Sequence, residues 1–420
     1  MKIGIFQLNG CDKCFNETYL LDKHTNDKSK NEIIRVKNSE IGSWSEIELD
    51  YAVITGYIKP ENHEFLHKLS KIAKNVVGYG SCTTTGGIFG LAYQKGYDIN
   101  PIAKIIPDTT LISGCLGEIE ELSEIIQGHP LKKSETLCTS CARKSTCEYL
   151  DEVVRQIDPQ EDTESCFNDF GHLCSGYIAN SCKEMCIDYG TACRGCKSSV
   201  DRAGFRMLGM FGTLMGNIEV ATEATGKGGT DKLADVDDDV TESIPDVTGS
   251  FFRFNLANSV LPLGRIPPNG SIMSDIFIGR PIEELPLISG CIGGDHFISF
   301  TLDIIQAYEK GLGDDLPVSE KTIELRNNLL SFEKELNSAL VESNVETYEK
   351  ITSQIRKIAG NMNLSNLFFG GFKVPIDDNG DFEKIKKNLF EIREGDYQNG
   401  NVKYSLNSKG IVNKFEIMEA

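Results

Sequence analysis

The chain is 420 residues long, 40% apolar, and carries a formal net charge of −19. That length supports two or three domains, each with its own core. The acidity argues against nucleic acid and anionic membrane surfaces as partners, because both are polyanions gripped by Lys/Arg patches, and no apolar run reaches the roughly 18 residues of a membrane span.

The first residues, MKIGIFQL, read as a strand over 2–8. They lack the charged start, long apolar stretch and small-residue cleavage site of a signal peptide. The expected compartment is therefore the cytoplasm, where thiols stay reduced. Fourteen cysteines in such a compartment point to metal rather than disulfides. Further strands are expected at 32–37, 51–58, 75–79 and 109–113; YAVITGYI (51–58) is a near-continuous apolar run suited to a buried parallel strand. In ENHEFLHKLSKIAKN (61–75), Phe65, Leu66, Leu69, Ile72 and Ala73 fall at helical spacing. Strands alternating with helices predict an α/β domain over 1–130, built on a doubly wound parallel sheet.

Cys11 and Cys14 follow the first strand, Cys82 follows NVVGYGS and Cys115 follows TTLISG. The carboxyl ends of parallel strands share one edge, where ligands bind. Four thiols distant in sequence are thus expected to converge, and four thiolates are what one cubane iron–sulfur cluster needs. Gly80, Gly86, Gly87 and Gly114 allow tight turns and close backbone approach beside it. Taken singly, the CxxC suits zinc or a redox pair, and Cys82 or Cys115 suits core packing; the four together at strand ends favour the cluster. Nine more cysteines crowd into 138–196: Cys138, Cys141, Cys147, Cys166, Cys174, Cys182, Cys186, Cys193 and Cys196. This thiol-rich stretch has little apolar periodicity and suggests two four-cysteine sites. Zinc is the rival metal, but two zinc sites would leave the first four cysteines without a purpose. DRAGFRMLGMFGTLMGN (201–217) is a helix candidate, 221–247 an acidic surface loop or linker, and GSFFRFNLANSVLP (249–262) closes a second domain over 131–263.

Several motifs carry a resemblance. GCDKC resembles a GCxGC pattern, YGSCTTTGGIFGL a YGTCxxxGGIxGL pattern, SGCLGEIEELSEIIQGHP a PGCPP–helix–GxxP segment, and ACRGC a PCxGC block. In this order they resemble the small subunit of nickel–iron hydrogenases, in the cytoplasmic archaeal-type branch of methyl-viologen-reducing and deazaflavin-reducing enzymes. The likeness covers about residues 1–263. It implies a flavodoxin-like first domain followed by an irregular cysteine-rich iron–sulfur domain. It also implies three 4Fe–4S clusters, a large subunit holding the nickel–iron site, and a further electron-acceptor subunit carrying flavin or iron–sulfur centres. Such a chain relays electrons as part of an oxidoreductase acting on dihydrogen and is not catalytic alone. By the same resemblance, Cys11, Cys14, Cys82 and Cys115 hold the proximal cluster. Cys182, Cys186, Cys193 and Cys196 hold the medial one, and Cys138, Cys141, Cys166 and Cys174 the distal one. Cysteine at 186, where some relatives have proline and a three-iron cluster, implies four irons. The chain departs from the family at Lys13, where glycine is usual, and at Leu116 and Gly117, where two prolines are usual. Cys147 competes with Cys166 for the distal site, with Cys166 favoured. Glu17 is a proton-relay candidate, although a solvated loop carboxylate is the preferred reading.

Residues 264–420 fall outside the resemblance and read as an α+β extension. LISGCLG (111–117) recurs as LISGCIG (287–293), which suggests a duplicated strand–turn–helix fragment. Cys291 is then a rival fourth proximal ligand, with a free thiol preferred. Residues 318–360 suggest an antiparallel pair of amphipathic helices, and 402–417 a hairpin turning at NSKG. These are features of an interaction module that the clusters themselves would not need. Two other functions compete: a cluster-bearing subunit of a quinone-reducing complex, against which the eight extra thiols speak, and a zinc-stabilised scaffold.

Overall fold

The computed structural model of the chain describes residues 1–21, 31–131, 135–145, 153–154, 164–182, 186–199, 243–259, 268, 270–316, 318–342, 344–373 and 394–418. Cys147, the helix candidate at 201–217 and the acidic stretch 221–242 lie outside them.

Five strands, β1 (Lys2–Gln7), β2 (Glu32–Val36), β3 (Leu49–Thr55), β4 (Ala73–Tyr79) and β5 (Thr110–Ile112), form one sheet in the order β2-β1-β3-β4-β5. Every pairing in it is parallel. This is the flavodoxin-like order, with its switch point between β1 and β3. All five expected strands are present, so the α/β reading of the N-terminal part is borne out. The accompanying helices are α1 (Lys13–Glu17), α2 (His63–Ile72), α3 (Ser81–Thr84) and α4 (Ile119–Ile126). The helix expected over 61–75 is shorter at its end. Ala73 already has extended backbone, and the chain runs directly into β4, whose β-branched Val76 and Val77 suit a strand.

Side chains alternate across the sheet with period two. Phe6, Ala52, Ile54 and Val76 face one core, closed by Leu66 and Leu69 of α2. There Phe6 meets Trp44 and Phe65 edge-on, with ring centroids 4.9 and 5.4 Å apart. Ile3, Ile5, Val53 and Val77 face the other core, which runs on without a break into Phe277, Ile305, Tyr308 and Tyr404 of the C-terminal extension.

The extension comprises α5 (Leu285–Ile292), α6 (Phe297–Leu312), α7 (Glu320–Val341) and α8 (Val345–Ala359). After them come the short strands β6 (Leu367–Phe368) and β7 (Gly371–Phe372), then β8 (Gly395–Asn399), β9 (Val402–Leu406) and β10 (Val412–Ile417). The paired helices expected between 318 and 360 are α7 and α8. Ser319 accepts from Thr322 N to start the first, and Asn344 accepts from Thr347 N to start the second. Glu309 of α6 meets Arg326 of α7 in a buried two-pronged pair at 2.7 and 2.8 Å. The hairpin expected at 402–417 is β9 and β10, its turn closed by Gly410 N to Asn407 O at 2.9 Å. The strand β8, which the sequence pattern did not reveal, pairs with β9.

The proposed duplication is not structural. LISGCLG is strand and loop, whereas LISGCIG lies almost wholly in α5. Pro286 sits in the first turn of that helix, where proline needs no amide partner, and Ser289 Oγ bonds back to Leu285 O at 2.8 Å. Because the sheet and the extension share one core, removal of residues 264–420 is expected to leave an aggregating or protease-sensitive chain. Limited proteolysis and size-exclusion chromatography check this; a soluble, compact truncated chain would contradict it.

Candidate metal centres

The proximal set is assembled by the strand ends. β1 leads to Cys11 and to Cys14 on α1, β4 leads to Cys82 on α3, and β5 leads to Cys115. Gly80, at φ +93°, turns the chain out of β4; a side chain there would stand 2.7 Å from Cys14 Sγ. Gly87, at φ +54°, lies against Cys82 in the same way, 2.8 Å from its Sγ. Ser81 fastens the loops together: its N–H donates to Gly114 O at 2.9 Å, and its hydroxyl accepts from Gly114 N at 2.9 Å. The four thiols feel one another. Burial raises Cys11 to about 12, with Lys13 opposing and Cys115 adding to the rise. Cys14 and Cys82 are pushed well above the ordinary thiol range by burial and then by Cys11 and Cys115.

Cys138, Cys141, Cys166 and Cys174 also come together. Cys138 is raised to about 11 by burial, then by Cys166 and Cys141. Cys174 is raised to about 12, by burial first, with Cys166 and Cys138 among the further causes. A side chain on Gly176 would stand 3.2 Å from Cys138 Sγ and 3.6 Å from Cys174 Sγ, so glycine leaves room between them. Cys166 is brought in by a backbone bond from its N–H to Lys144 O at 2.9 Å, three residues beyond Cys141.

In the third set, burial holds Cys193 well above the usual range, and Cys174, Cys186 and Cys196 add to it. Gly195 N donates to Cys193 Sγ at 3.4 Å. Cys182 and Cys196 share a cavity of about 300 Å³ with Cys115, which sets this group beside the proximal one. Ser81 Oγ also donates to Cys196 O at 2.5 Å. On the other side, Cys193 N donates to Cys174 Sγ at 3.3 Å. The three sets therefore succeed one another, with the Cys182–Cys196 group in the middle. Among the described residues, no three His, Cys, Asp or Glu side chains close around one point as a single bound ion requires.

The donor chemistry fits iron–sulfur clusters. Thiols this buried and this close repel one another as thiolates, and metal between them supplies the charge that lets them ionise. Backbone N–H groups aimed at ligand sulfurs are the hydrogen bonds that such clusters use.

Three residues differ from expectation or were missed. Glu17 is not a solvated loop carboxylate: it lies on α1, is buried, and accepts from Tyr79 Oη at 3.0 Å. Cys291, on α5, is buried and hydrogen-bonded with the Cys115 thiol, so the extension reaches the proximal set. Lys13 is buried too; its Nζ donates to Gly290 O at 2.6 Å and to Met362 O at 3.1 Å, and it stands 3.5 Å over the Phe297 ring. The missed contacts join residues from 62 to 349 positions apart, and the nearest sequence signal was the recurrence of LISGC.

This fold and these cysteine sets define a metal-binding α/β protein with a succession of thiol sites, buried around Cys174, Cys186 and Cys193 and opening to solvent at Cys138. Residues 10–128, which hold all four proximal cysteines, match the family model described as NADH ubiquinone oxidoreductase, 20 Kd subunit. Among whole proteins, the chain is similar to an F420-non-reducing hydrogenase subunit of Methanothermobacter marburgensis, 26% identical over 314 residues covering 63% of this chain and 96% of the relative. It is also similar to the F420-non-reducing hydrogenase vhu subunit of Methanocaldococcus jannaschii, 25% identical over 48% of this chain and 83% of the relative. The F420-non-reducing hydrogenase iron-sulfur subunit of Archaeoglobus profundus is 20% identical over 54% of this chain and 84% of the relative. A solved [NiFeSe]-hydrogenase chain from Dm. baculatum aligns at 15% identity over 49% of this chain and 96% of that one, with a TM-score of 0.31. The resemblance of the motifs to small subunits of methyl-viologen-reducing nickel–iron hydrogenases is borne out by these hydrogenase-subunit relatives. No helix among the described residues is long and apolar enough to cross a membrane.

Two substitutions probe the sets. Cys166→Ser is expected to disturb the outer cluster and Cys147→Ser to leave it intact, as read by electron paramagnetic resonance of the reduced protein; loss in the Cys147 variant alone would reverse the assignment. Cys291→Ala is expected to keep iron content unchanged while altering the proximal signal, and loss of one cluster's iron would make Cys291 a ligand.

Proposed function

We propose that this chain is the electron-transfer small subunit of a cytoplasmic nickel–iron hydrogenase complex. It relays electrons between the nickel–iron site of a large subunit and a further acceptor subunit carrying flavin or iron–sulfur centres. Cys11, Cys14, Cys82 and Cys115 would hold the proximal 4Fe–4S cluster, Cys182, Cys186, Cys193 and Cys196 the medial one, and Cys138, Cys141, Cys166 and Cys174 the distal one. When bound, such clusters supply one-electron carriers whose potentials answer to charge, burial and hydrogen bonds to sulfur.

The observation that carries this reading is the succession of three thiol sets, linked through the cavity at Cys115, Cys182 and Cys196 and through the Cys193 N to Cys174 Sγ bond. The protein's own part is positional. The sheet edge fixes the first set, and Ser81 ties it to the Cys196 peptide. The names of the relatives support the hydrogenase assignment, and an iron–sulfur name among them supports the cofactor.

The match over 10–128 keeps a second reading in view, a cluster-bearing subunit of a quinone-reducing complex. That model ends at 128, before the eight thiols assigned to the other two sites, and it leaves them without a role. A zinc-stabilised scaffold is separated by colour and metal content. Purified without air, the complex is expected to be brown and to hold about twelve irons on this chain, four per cubane cluster, beyond the iron of its partner subunits. Zinc in place of iron would remove the reading, and about four irons would favour the quinone-linked alternative.

A further inference from the structure

We propose that Asn361, in the C-terminal extension, is a positioning residue that donates a hydrogen bond to Cys186 Sγ and thereby raises the reduction potential of the medial cluster. The proposal rests on the reading of Cys186 as a ligand of that cluster. Asn361 Nδ2 lies 2.7 Å from Cys186 Sγ, and both residues are buried, at 3% and 5% exposure.

The orientation of the amide is fixed by its other end. Asn361 Oδ1 accepts from Asn363 N at 2.9 Å and from Ser365 N at 3.4 Å. Two backbone donors require an acceptor there, so the NH₂ group is the one that faces the sulfur. The loop around Asn361 is held from every side. Gly360, at φ +86°, ends α8, and Leu364 takes the left-handed conformation at φ +59°. Asn366 N donates to Ala359 O at 2.8 Å, and Lys373 N donates to Asn366 O at 2.8 Å. Thr191 Oγ1 donates to Cys186 O at 3.0 Å and lies 3.5 Å from Ser365 Oγ, so the loop and the cysteine segment meet at a second point. On its far side, Met362 O accepts from Lys13 Nζ. A non-glycine residue in the left-handed region persists only where its surroundings over-determine it. Here the result is a donor aimed at one sulfur.

The physical effect has a definite sign. An N–H directed at a ligand sulfur draws negative charge away from the cluster and favours the reduced, more negative state. Between two residues this buried the bond is electrostatically stronger than in water. Removing the donor lowers the potential. A residue that merely braced the loop would leave it where it was.

The test uses the anaerobically purified complex and follows each cluster by redox titration with electron paramagnetic resonance. In Asn361→Leu the donor is lost. In Asn361→Asp the acceptor for Asn363 N and Ser365 N is kept, while the donor becomes a carboxylate oxygen. Both variants are expected to keep their iron and to shift the medial midpoint downward, the aspartate variant further, with the other two midpoints unmoved. Ser365→Ala, which loosens the Thr191 contact but keeps the donor, is expected to leave the medial midpoint in place. An unmoved medial midpoint in both Asn361 variants overturns the proposal. So does an equal shift in Ser365→Ala, or loss of the medial cluster from both Asn361 variants. A separate variant tests the underlying reading: if Cys186→Ser keeps all its iron and an unchanged medial signal, Cys186 is not a ligand, and it is the ligand assignment that fails.

Discussion

Thiols packed against one another, most of them half-buried or buried, are the constraint on which the rest of this structure depends. Burial first, and then the neighbouring thiols, push Cys14, Cys82 and Cys193 well above the ordinary range. Such sets ionise only with positive charge among them, so metal loading and folding are linked. The link is uneven along the chain. The sheet has an extensive apolar core on each face, one of them shared with the extension. The cysteine-rich part has a far smaller one, built around Leu137, Phe167, Ile187 and Ala192 and completed by cysteines themselves. On the proposed reading, its fold would depend on ligation to a degree that the sheet's does not.

The same constraint explains how the parts are joined. Ser81 and Ser113, at the ends of β4 and β5, send their hydroxyls to Cys196 O and Ser198 O. Behind them, Arg253 and Arg194 share the buried carboxylate of Glu284 at 2.7 and 3.7 Å, linking the residues around Cys193 to the extension. A buried charge is tolerated only when paired, and breaking one such pair typically costs about 3–5 kcal/mol. Backbone and ionic links together fix the middle set relative to the first, which an electron path requires.

Much of this was legible in the sequence for clear physical reasons. Parallel strands buried on both faces show as apolar runs, and ligands at their carboxyl ends follow from topology, so Cys11, Cys14, Cys82 and Cys115 could be grouped without a structure. The NSKG turn and the two capped helices carry local signals. The fate of LISGC was not legible. At 111–115 it follows two threonines and pairs with β4, while at 287–291 it follows Pro286 and enters a helix. Identical local sequence yields to its flanks and its neighbours. Glu17 was misread because its partner, Tyr79, lies 62 residues away. Asn361 sits in a polar stretch with no period, and its meaning comes from a sulfur 175 residues earlier.

The extension and one departure from the family pattern explain each other. Lys13 stands where the resemblance leads one to expect glycine. Burial pulls its ammonium down, and the thiols around it pull it back up. An isolated buried lysine is costly, yet here its Nζ meets Gly290 O in the last turn of α5 and Met362 O beside Asn361. Carbonyls at a helix C-terminus lack intrahelical donors and favour a cation. Without the extension, Lys13 would have neither oxygen. Without Lys13, the end of α5 and the loop at 361–366 would lose the contact that draws them over the first cysteine set. The extension is therefore more than an outer attachment: it closes the sheet's second core, lines the cavity at Cys115 with Tyr348, Thr352 and Arg356, and sets polar groups against the thiol sets. Excluding water from a cluster tends to disfavour its reduced state, whereas donors and cations beside it favour that state. On the proposed reading, residues 285–373 would do both at once, covering the thiol sets, supplying the Asn361 donor and holding Lys13 beside them.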